Sequence, residues 1–149
     1  MRIPPLLVVA LMLLAMVPLA QLLPSTGIPD AARWGAVTFF GLVGAIFVLP
    51  AAISFRRAGT TVDPRDPEKT EALVTDGLYR ISRNPMYVGF CFWLIAGAFA
   101  VASLWLLVVW PLFVIYMNAL QIPAEEAAMA DKFPGDWPRF CQQVPRWLI

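Results

Sequence analysis

The chain has 149 residues, of which 60% are hydrophobic and 14% are charged, and its formal net charge is +1. About 25% of the residues of an ordinary soluble domain are charged, so a soluble domain of this length is excluded. The small net charge gives no indication of nucleic-acid binding. The absence of histidine excludes histidine-based catalysis and histidine-ligated metals, and Cys91 and Cys141 are too few for a metal site.

The spacing of the charges predicts membrane-spanning helices. No charged side chain lies between residues 2 and 30, between 33 and 56, or between 83 and 125. A helical span needs about 20 apolar residues, so the first two stretches hold one span each and the third holds two. We therefore predict a single all-α integral membrane domain of residues 1–149. Its four spans are expected at residues 5–23, 34–53, 86–102 and 104–120.

The connections between these spans are predicted from their turn-forming and polar residues. The first stretch is longer than the apolar region of a secretory signal, so we expect it to be retained as a span. The last two spans form a tight hairpin that turns near Ala102 and Ser103, and residues 122–149 form an amphipathic tail at the membrane surface. In the second span, Gly41 and Ala45 form a small-residue pair suited to close helix packing.

The distribution of basic residues predicts the orientation in the membrane. The connection between the first two spans has only Arg33, whereas the loop of residues 55–85 has six lysines and arginines. Cytoplasmic loops carry an excess of basic residues, so we place this loop in the cytoplasm. Four crossings then put both termini on the same side. We expect a bacterial inner-membrane protein with the N- and C-termini inside.

A first polar cluster, residues 73–87, precedes the predicted hairpin. Gly77 permits a turn in the backbone, and Asn84 followed by Pro85 favours an extended entry into the next helix. The start of that helix, with Arg83 beside it, is suited to binding an anion or a carboxylate. An ordinary basic loop next to the membrane explains the same residues equally well, so both interpretations stay open here.

A second polar cluster, Glu125 and Glu126, follows the last predicted span. After Pro123 these acids are well placed in the first turn of a tail helix, where negative charge is favourable. The alternative interpretation is a carboxylate that binds a cationic ligand. The two residues alone favour the first of these interpretations.

Taken together, the two clusters resemble a known family. The shared positions are Leu73-Val74, Gly77, Tyr79, Arg83-Asn84-Pro85, Tyr87 and, after the hairpin, Glu125-Glu126. This combination resembles the isoprenylcysteine carboxyl methyltransferases and the related membrane phospholipid methyltransferases. Residues 59–64 and the aromatic, basic ending at residues 144–147 add to the likeness.

The resemblance implies S-adenosylmethionine (SAM) as the methyl donor, bound at the cytoplasmic face. It also implies a small or lipid-like methyl acceptor, with Gln121 on the acceptor side of the site, and contact with membrane lipids. The positions that the resemblance assigns to the cofactor are Leu73, Val74, Gly77, Tyr79, Arg83, Asn84, Tyr87, Glu125 and Glu126. It assigns no catalytic residue.

Three positions depart from the family's pattern. Gln121 stands where an arginine associated with a carboxylate substrate is common, and Glu71 and Asn84 stand where histidine is frequent. Gln121 and Glu71 weaken the case for a prenylcysteine carboxylate as the acceptor without weakening the case for SAM.

Two other functions remain open from the residues. An NADPH-dependent membrane reductase of the steroid-reductase type would use Arg56, Arg57 and Arg65 for the cofactor phosphate, although the acidic pair is unfavourable beside a polyphosphate. A non-catalytic membrane scaffold would need neither cluster.

Overall fold

A computed structural model of the chain describes residues 3–24, 26–57 and 72–148, and every regular element within these ranges is helical. The predicted all-α class is confirmed. The α-helices are α1 (Pro5–Leu22), α2 (Asp30–Arg57), α3 (Pro85–Ala100), α4 (Val109–Tyr116), α5 (Ile122–Lys132) and α6 (Asp136–Gln143).

The helix after the hairpin turn is longer than predicted, because it continues from Leu104 to Lys132. It begins with the 3₁₀ turn Leu104–Val108, continues as α4, and passes through the π-helical turn Met117–Gln121 into α5. Pro123 lacks the N–H that would bond to the preceding turn, and the wide π-helical turn lies immediately before it. The predicted boundary at residue 122 is therefore a local widening of one helix rather than the start of a separate tail.

The lengths of the helices fit a membrane protein. Among the described residues, Pro5–Leu22, Asp30–Arg57 and Leu104–Lys132 are long and apolar enough to cross a bilayer, and Pro85–Ala100 is a shorter apolar helix. The 28 residues of α2 extend about 42 Å, beyond a hydrocarbon core of about 30 Å, whereas the 16 residues of α3 extend about 24 Å. The chain is an integral membrane protein.

Helices α2 and α3 pack at very short distance through glycine. A Cβ atom placed on Gly44 would lie 2.9 Å from the Gly89 carbonyl oxygen and 2.3 Å from the Trp93 ring, so neither helix tolerates a side chain there. The expectation that Gly41 and Ala45 make the close contact is wrong in register. A Cβ on Gly41 would meet nothing within 4 Å, although the indole of Trp93 donates a 3.2 Å hydrogen bond to the Gly41 carbonyl.

The main core joins α1, α3 and the long last helix. Its fully buried side chains include Met16, Leu94, Phe113 and Met117, whereas Leu14, Ile46 and Ile115 are more than 60% exposed along the outer surfaces of their helices. Exposed leucine and isoleucine are favourable where lipid is the solvent. This bundle therefore buries a narrow inner seam and leaves a broad apolar surface for lipid.

The two ends of the bundle differ in composition. At one end the hairpin reverses through Ala102, which has a φ of 53°, and Thr26 donates a 2.9 Å hydrogen bond to the Ala102 carbonyl. At the same end, Arg33 donates to the carbonyl of Ala100. The other end gathers residues 72–84, the start of α3, and residues 118–148.

Candidate functional site

The loop of residues 72–84 is anchored on a small hydrophobic cluster. Gly77 has a φ of 62°, the left-handed conformation that glycine adopts without strain, and it begins the 3₁₀ helix Gly77–Arg80. This turn buries Tyr79 edge-on against Phe55, next to Ala51, Phe140 and Val144. Burial, and secondarily the charge of Glu125, raise the pKa of Tyr79 above its ordinary value, so its hydroxyl stays neutral.

Leu73 and Val74, both predicted to line the cofactor pocket, pack against this same cluster. Leu73 also borders a cavity of about 620 Å³ between the loop and α6. The other residues that line this cavity are Thr75, Asp76, Arg80, Asp136, Arg139, Phe140, Gln143 and Val144.

The acid Glu125 is oriented by two neutral donors. The hydroxyl of Tyr87, in the first turn of α3, donates to both carboxylate oxygens at 2.8 and 2.9 Å. The amide of Gln121, in the π-helical turn, donates to Oε1 at 2.6 Å. Tyr87 and Gln121 are 8% and 3% exposed, so both hydrogen bonds form in a largely water-excluded region. These donors fix the carboxylate without adding a positive charge to it.

The acid Glu126 lies between two arginines. Arg146 makes a bidentate pair with it, from Nε to Oε1 at 3.0 Å and from Nη2 to Oε2 at 2.5 Å. Arg83 approaches the same carboxylate at 3.1 Å from the other side. Hydrogen bonding to Glu126 raises the pKa of Arg146 above its ordinary value, so this guanidinium remains charged.

Arg83 lies at the centre of this network. Its side chain is 14% exposed, its Nη1 contacts the sulfur of Cys141, and its guanidinium lies 5.7 Å from the ring of Trp137. Among the described residues its buried Nε has no hydrogen-bond partner. A buried donor without a protein partner is commonly satisfied by water or a ligand.

The chain beyond α6 is bonded to residues 82–84 through its backbone carbonyls. The Arg83 amide donates to the carbonyl of Pro145 at 2.9 Å. The carbonyl of Arg146 accepts from the Asn84 side chain at 3.0 Å and from Ser82 at 3.3 Å. Asn84 therefore fixes the C-terminal segment rather than capping α3, which has no side-chain cap.

The structure brings most of the predicted residues together. Arg83 and Tyr87 meet Glu125 and Glu126 although about 40 positions separate them, and the expected convergence is confirmed. Gln121 touches Glu125 directly, and Asn84 joins through the C-terminal segment. Leu73, Val74, Gly77 and Tyr79 form the adjacent anchored loop. Residues 59–64, Arg65 and Glu71 lie outside the described residues.

Two residues of this network, Asn118 and Arg146, were not among the predicted site residues. The carbonyl oxygen of the Asn118 side chain accepts from Trp147 at 3.1 Å and from Arg146 at 3.4 Å. An amide within an otherwise apolar span is costly, and this feature of the sequence would have identified Asn118. Arg146 was noted only as part of the aromatic, basic ending at residues 144–147, which did not indicate that it pairs with Glu126.

The fold and this site define a helical membrane protein with a charged, partly buried centre at one end of its bundle. The family model of phospholipid methyltransferases matches residues 32–135. The chain belongs to this family. The resemblance seen in the two polar clusters is confirmed.

Individual relatives agree with this assignment. The chain is 34% identical over 82 residues to the protein-S-isoprenylcysteine O-methyltransferase of Schizosaccharomyces pombe, covering 52% of this chain and 33% of that protein. It is 32% identical over 124 residues to protein-S-isoprenylcysteine O-methyltransferase B of Arabidopsis thaliana, covering 73% of this chain and 57% of that protein. The chain thus spans between a third and three-fifths of the length of these two relatives. No solved structure gives a significant match.

Proposed function

We propose that this protein is a SAM-dependent methyltransferase that acts on a lipid-like or small acceptor at the cytoplasmic face of the membrane. Membership of the phospholipid methyltransferase family and the names of the relatives favour methyl transfer over the reductase and the scaffold. The proposal has its main support in two neighbouring contacts. Tyr87 donates to Glu125, and Arg83 pairs with the adjacent acid Glu126.

The charges of this centre complement those of SAM. The cofactor presents a carboxylate, an ammonium group and a sulfonium, so it needs a cation and an anion close together. Arg83 offers the cation, and its buried Nε donor fits a ligand oxygen. Glu125 offers the anion, with its carboxylate oriented by Tyr87 and Gln121. The residues present therefore fit the cofactor.

In this proposal the residues act by orientation and desolvation. SAM, when bound, supplies an activated methyl group for in-line displacement by the acceptor, a reaction that depends on alignment more than on a strong base. The hydrogen bonds from Tyr87 and Gln121 hold Glu125 in one orientation before any ligand arrives. Tyr79 and Phe140 are buried together in the hydrophobic cluster next to these residues.

Two observations bear on the chemical class of the methyl acceptor. They are the names of the family and relatives, and the presence of Gln121 where the family commonly has arginine. The relatives are named for an isoprenylcysteine substrate, and the family for phospholipids. Gln121 is neutral, buried, and bonded to Glu125, so it adds no positive charge for an acceptor carboxylate. We therefore favour a lipid-like acceptor whose reacting group is not a carboxylate, with phospholipid amines as the first class to test.

Binding and transfer experiments test this function. Protein in lipid nanodiscs is titrated with SAM and with NADPH, and then incubated with methyl-labelled SAM and phospholipids or a prenylcysteine analogue. We expect SAM binding, no NADPH binding, and label in the lipid fraction. Absence of SAM binding by correctly folded protein would contradict the proposal, and NADPH binding would favour the reductase.

The proposed cytoplasmic location is tested by labelling. Single cysteines replace Thr26 or Gln142 in a variant whose Cys91 and Cys141 are replaced by alanine. In intact cells, an impermeant maleimide should label the cysteine at position 26 and leave the one at position 142 unlabelled until the membrane is opened. The reverse pattern would place the site outside.

A further inference from the structure

The last residues of the chain connect three parts of the candidate site. Val144 is buried in the cluster of Tyr79 and Phe140, and Trp147 packs against the main core. Between them, the carbonyls of Pro145 and Arg146 accept hydrogen bonds from residues 82–84. The family model matches residues 32–135 and therefore does not include residues 144–147.

The side chain of Arg146 extends the same connection to the acids. It pairs with Glu126 through two nitrogens and reaches Asn118, which also accepts from Trp147. A bidentate arginine–carboxylate pair fixes both position and orientation of the acid. The side chain of Glu126 is 19% exposed and that of Arg146 is 36% exposed, so solvent screens this pair in part.

The charges around Glu126 then determine what Arg83 can bind. Arg83, Arg146 and Glu126 together carry a net charge of +1. If Arg146 were neutral, the same group would have no net charge, and Glu126 would hold Arg83 as its single partner within this triad. A ligand carboxylate would then compete with Glu126 for the Arg83 guanidinium.

We infer that Arg146 is a positioning residue for the cofactor site. It pairs with Glu126, so that Glu126 does not neutralise Arg83 and the Arg83 guanidinium stays available for the carboxylate of SAM. This inference rests on the proposed function, because it assumes SAM as the ligand. It assigns Glu126 to the support of Arg83 and leaves Glu125 as the acid that faces the cationic part of the cofactor.

The test compares ligands with and without the amino-acid portion. SAM and 5′-methylthioadenosine, which lacks that portion, are titrated by calorimetry into the full-length protein in nanodiscs. Arg146→Gln should weaken SAM binding by at least about tenfold. The affinity for 5′-methylthioadenosine should change by less than about twofold, because no carboxylate is involved.

Three further variants separate charge from simple folding effects. Arg146→Lys should recover part of the lost SAM affinity, because it restores the charge without the bidentate geometry. Arg146→Gln combined with Glu126→Gln should return SAM affinity to within about threefold of the unmodified protein, because the net charge of the triad is again +1. Lys132→Gln, which removes the same charge from an exposed residue at the end of α5, should leave both affinities unchanged.

The outcomes are distinct from those of the proposed function. If unmodified protein does not bind SAM, both proposals fail together. If it binds SAM and Arg146→Gln binds SAM equally well, only the role of Arg146 is overturned. Equal weakening of SAM and 5′-methylthioadenosine, with a lower melting temperature and no recovery in the double variant, would also overturn it, since a merely structural role predicts that pattern.

Discussion

Each end of the bundle holds an arginine turned into the protein, and the two are satisfied in different ways. Arg33, at the end with the hairpin turn, is 25% exposed; it donates to the backbone carbonyl of Ala100 and lies 4.8 Å from the ring of Trp34. Arg83, at the opposite end, is 14% exposed and pairs with the carboxylate of Glu126. Among the described residues, both have a buried Nε without a partner, so this feature alone does not distinguish them.

The difference lies in what surrounds the two guanidinium groups. Arg33 stabilises the C-terminal end of α3, where exposed carbonyls favour a cation, and its nearby acid Asp30 is largely exposed at 3.8 Å. Arg83 belongs to a network in which the carboxylates are themselves held by Arg146, Tyr87 and Gln121. A single arginine on a helix end therefore indicates stability, whereas an arginine among oriented carboxylates indicates a ligand.

The largest expected effect at the end of the bundle that holds Arg83 is a loss of SAM affinity when Glu125 is changed. Glu125→Gln removes the negative charge but keeps the shape, and SAM affinity should fall by at least about tenfold, because contacts between charged groups contribute about 1.5–3 kcal/mol. The measurement is SAM titration in nanodiscs, with the melting temperature as the control for folding. Unchanged affinity would show that the acids are ordinary surface charges.

A smaller effect is expected from Tyr87→Phe. This change removes the donor to both oxygens of Glu125 and leaves the ring packed against Phe90. The carboxylate becomes less well oriented, so SAM affinity should fall by about threefold to tenfold. Titration of this variant beside Tyr116→Phe, on the last helix, controls for the loss of a tyrosine hydroxyl as such. A loss as large in the control would contradict the role of Tyr87.

At the other end, Arg33→Gln should affect stability without affecting binding. Loss of the hydrogen bond to the α3 terminus should cost about 1–2 kcal/mol, measured as a lower melting temperature in detergent. The affinity for SAM should remain the same, because Arg33 contacts the C-terminal end of α3 and the candidate site lies at its N-terminal end. A tenfold weaker SAM affinity in this variant would contradict the interpretation that Arg33 contributes to stability and not to ligand binding.

The smallest effect is expected from Thr26→Val, which keeps the shape and removes the hydroxyl. Thr26 donates to Ala102 and accepts from the Leu104 amide, and so it holds the hairpin turn in place. The loss should cost about 1 kcal/mol, visible as a modest decrease in melting temperature. Ser54→Ala is the matched control, because the Ser54 hydroxyl donates to the Pro50 carbonyl four residues earlier in α2, and it should change stability less.

The sequence by itself determined the class of fold and the family. Each uncharged stretch has the length of a helical span, and a helix bonds every backbone group within its own segment, as the bilayer interior requires. The two polar clusters, with their glycine, proline and acids at fixed spacing, were sufficient for the family resemblance. Both signals are local, because they depend on residues close together in the chain.

Only the tertiary structure decided which of those residues meet and what holds them. Gly44 rather than Gly41 forms the close helix contact, because the position of Trp93 on the neighbouring helix sets the register. The C-terminal segment brings Arg146 to Glu126 and also to Asn118, which lies in the π-helical turn. Their partners lie 20 or more residues away along the chain, and no local pattern of hydrophobicity or charge specifies such a distance.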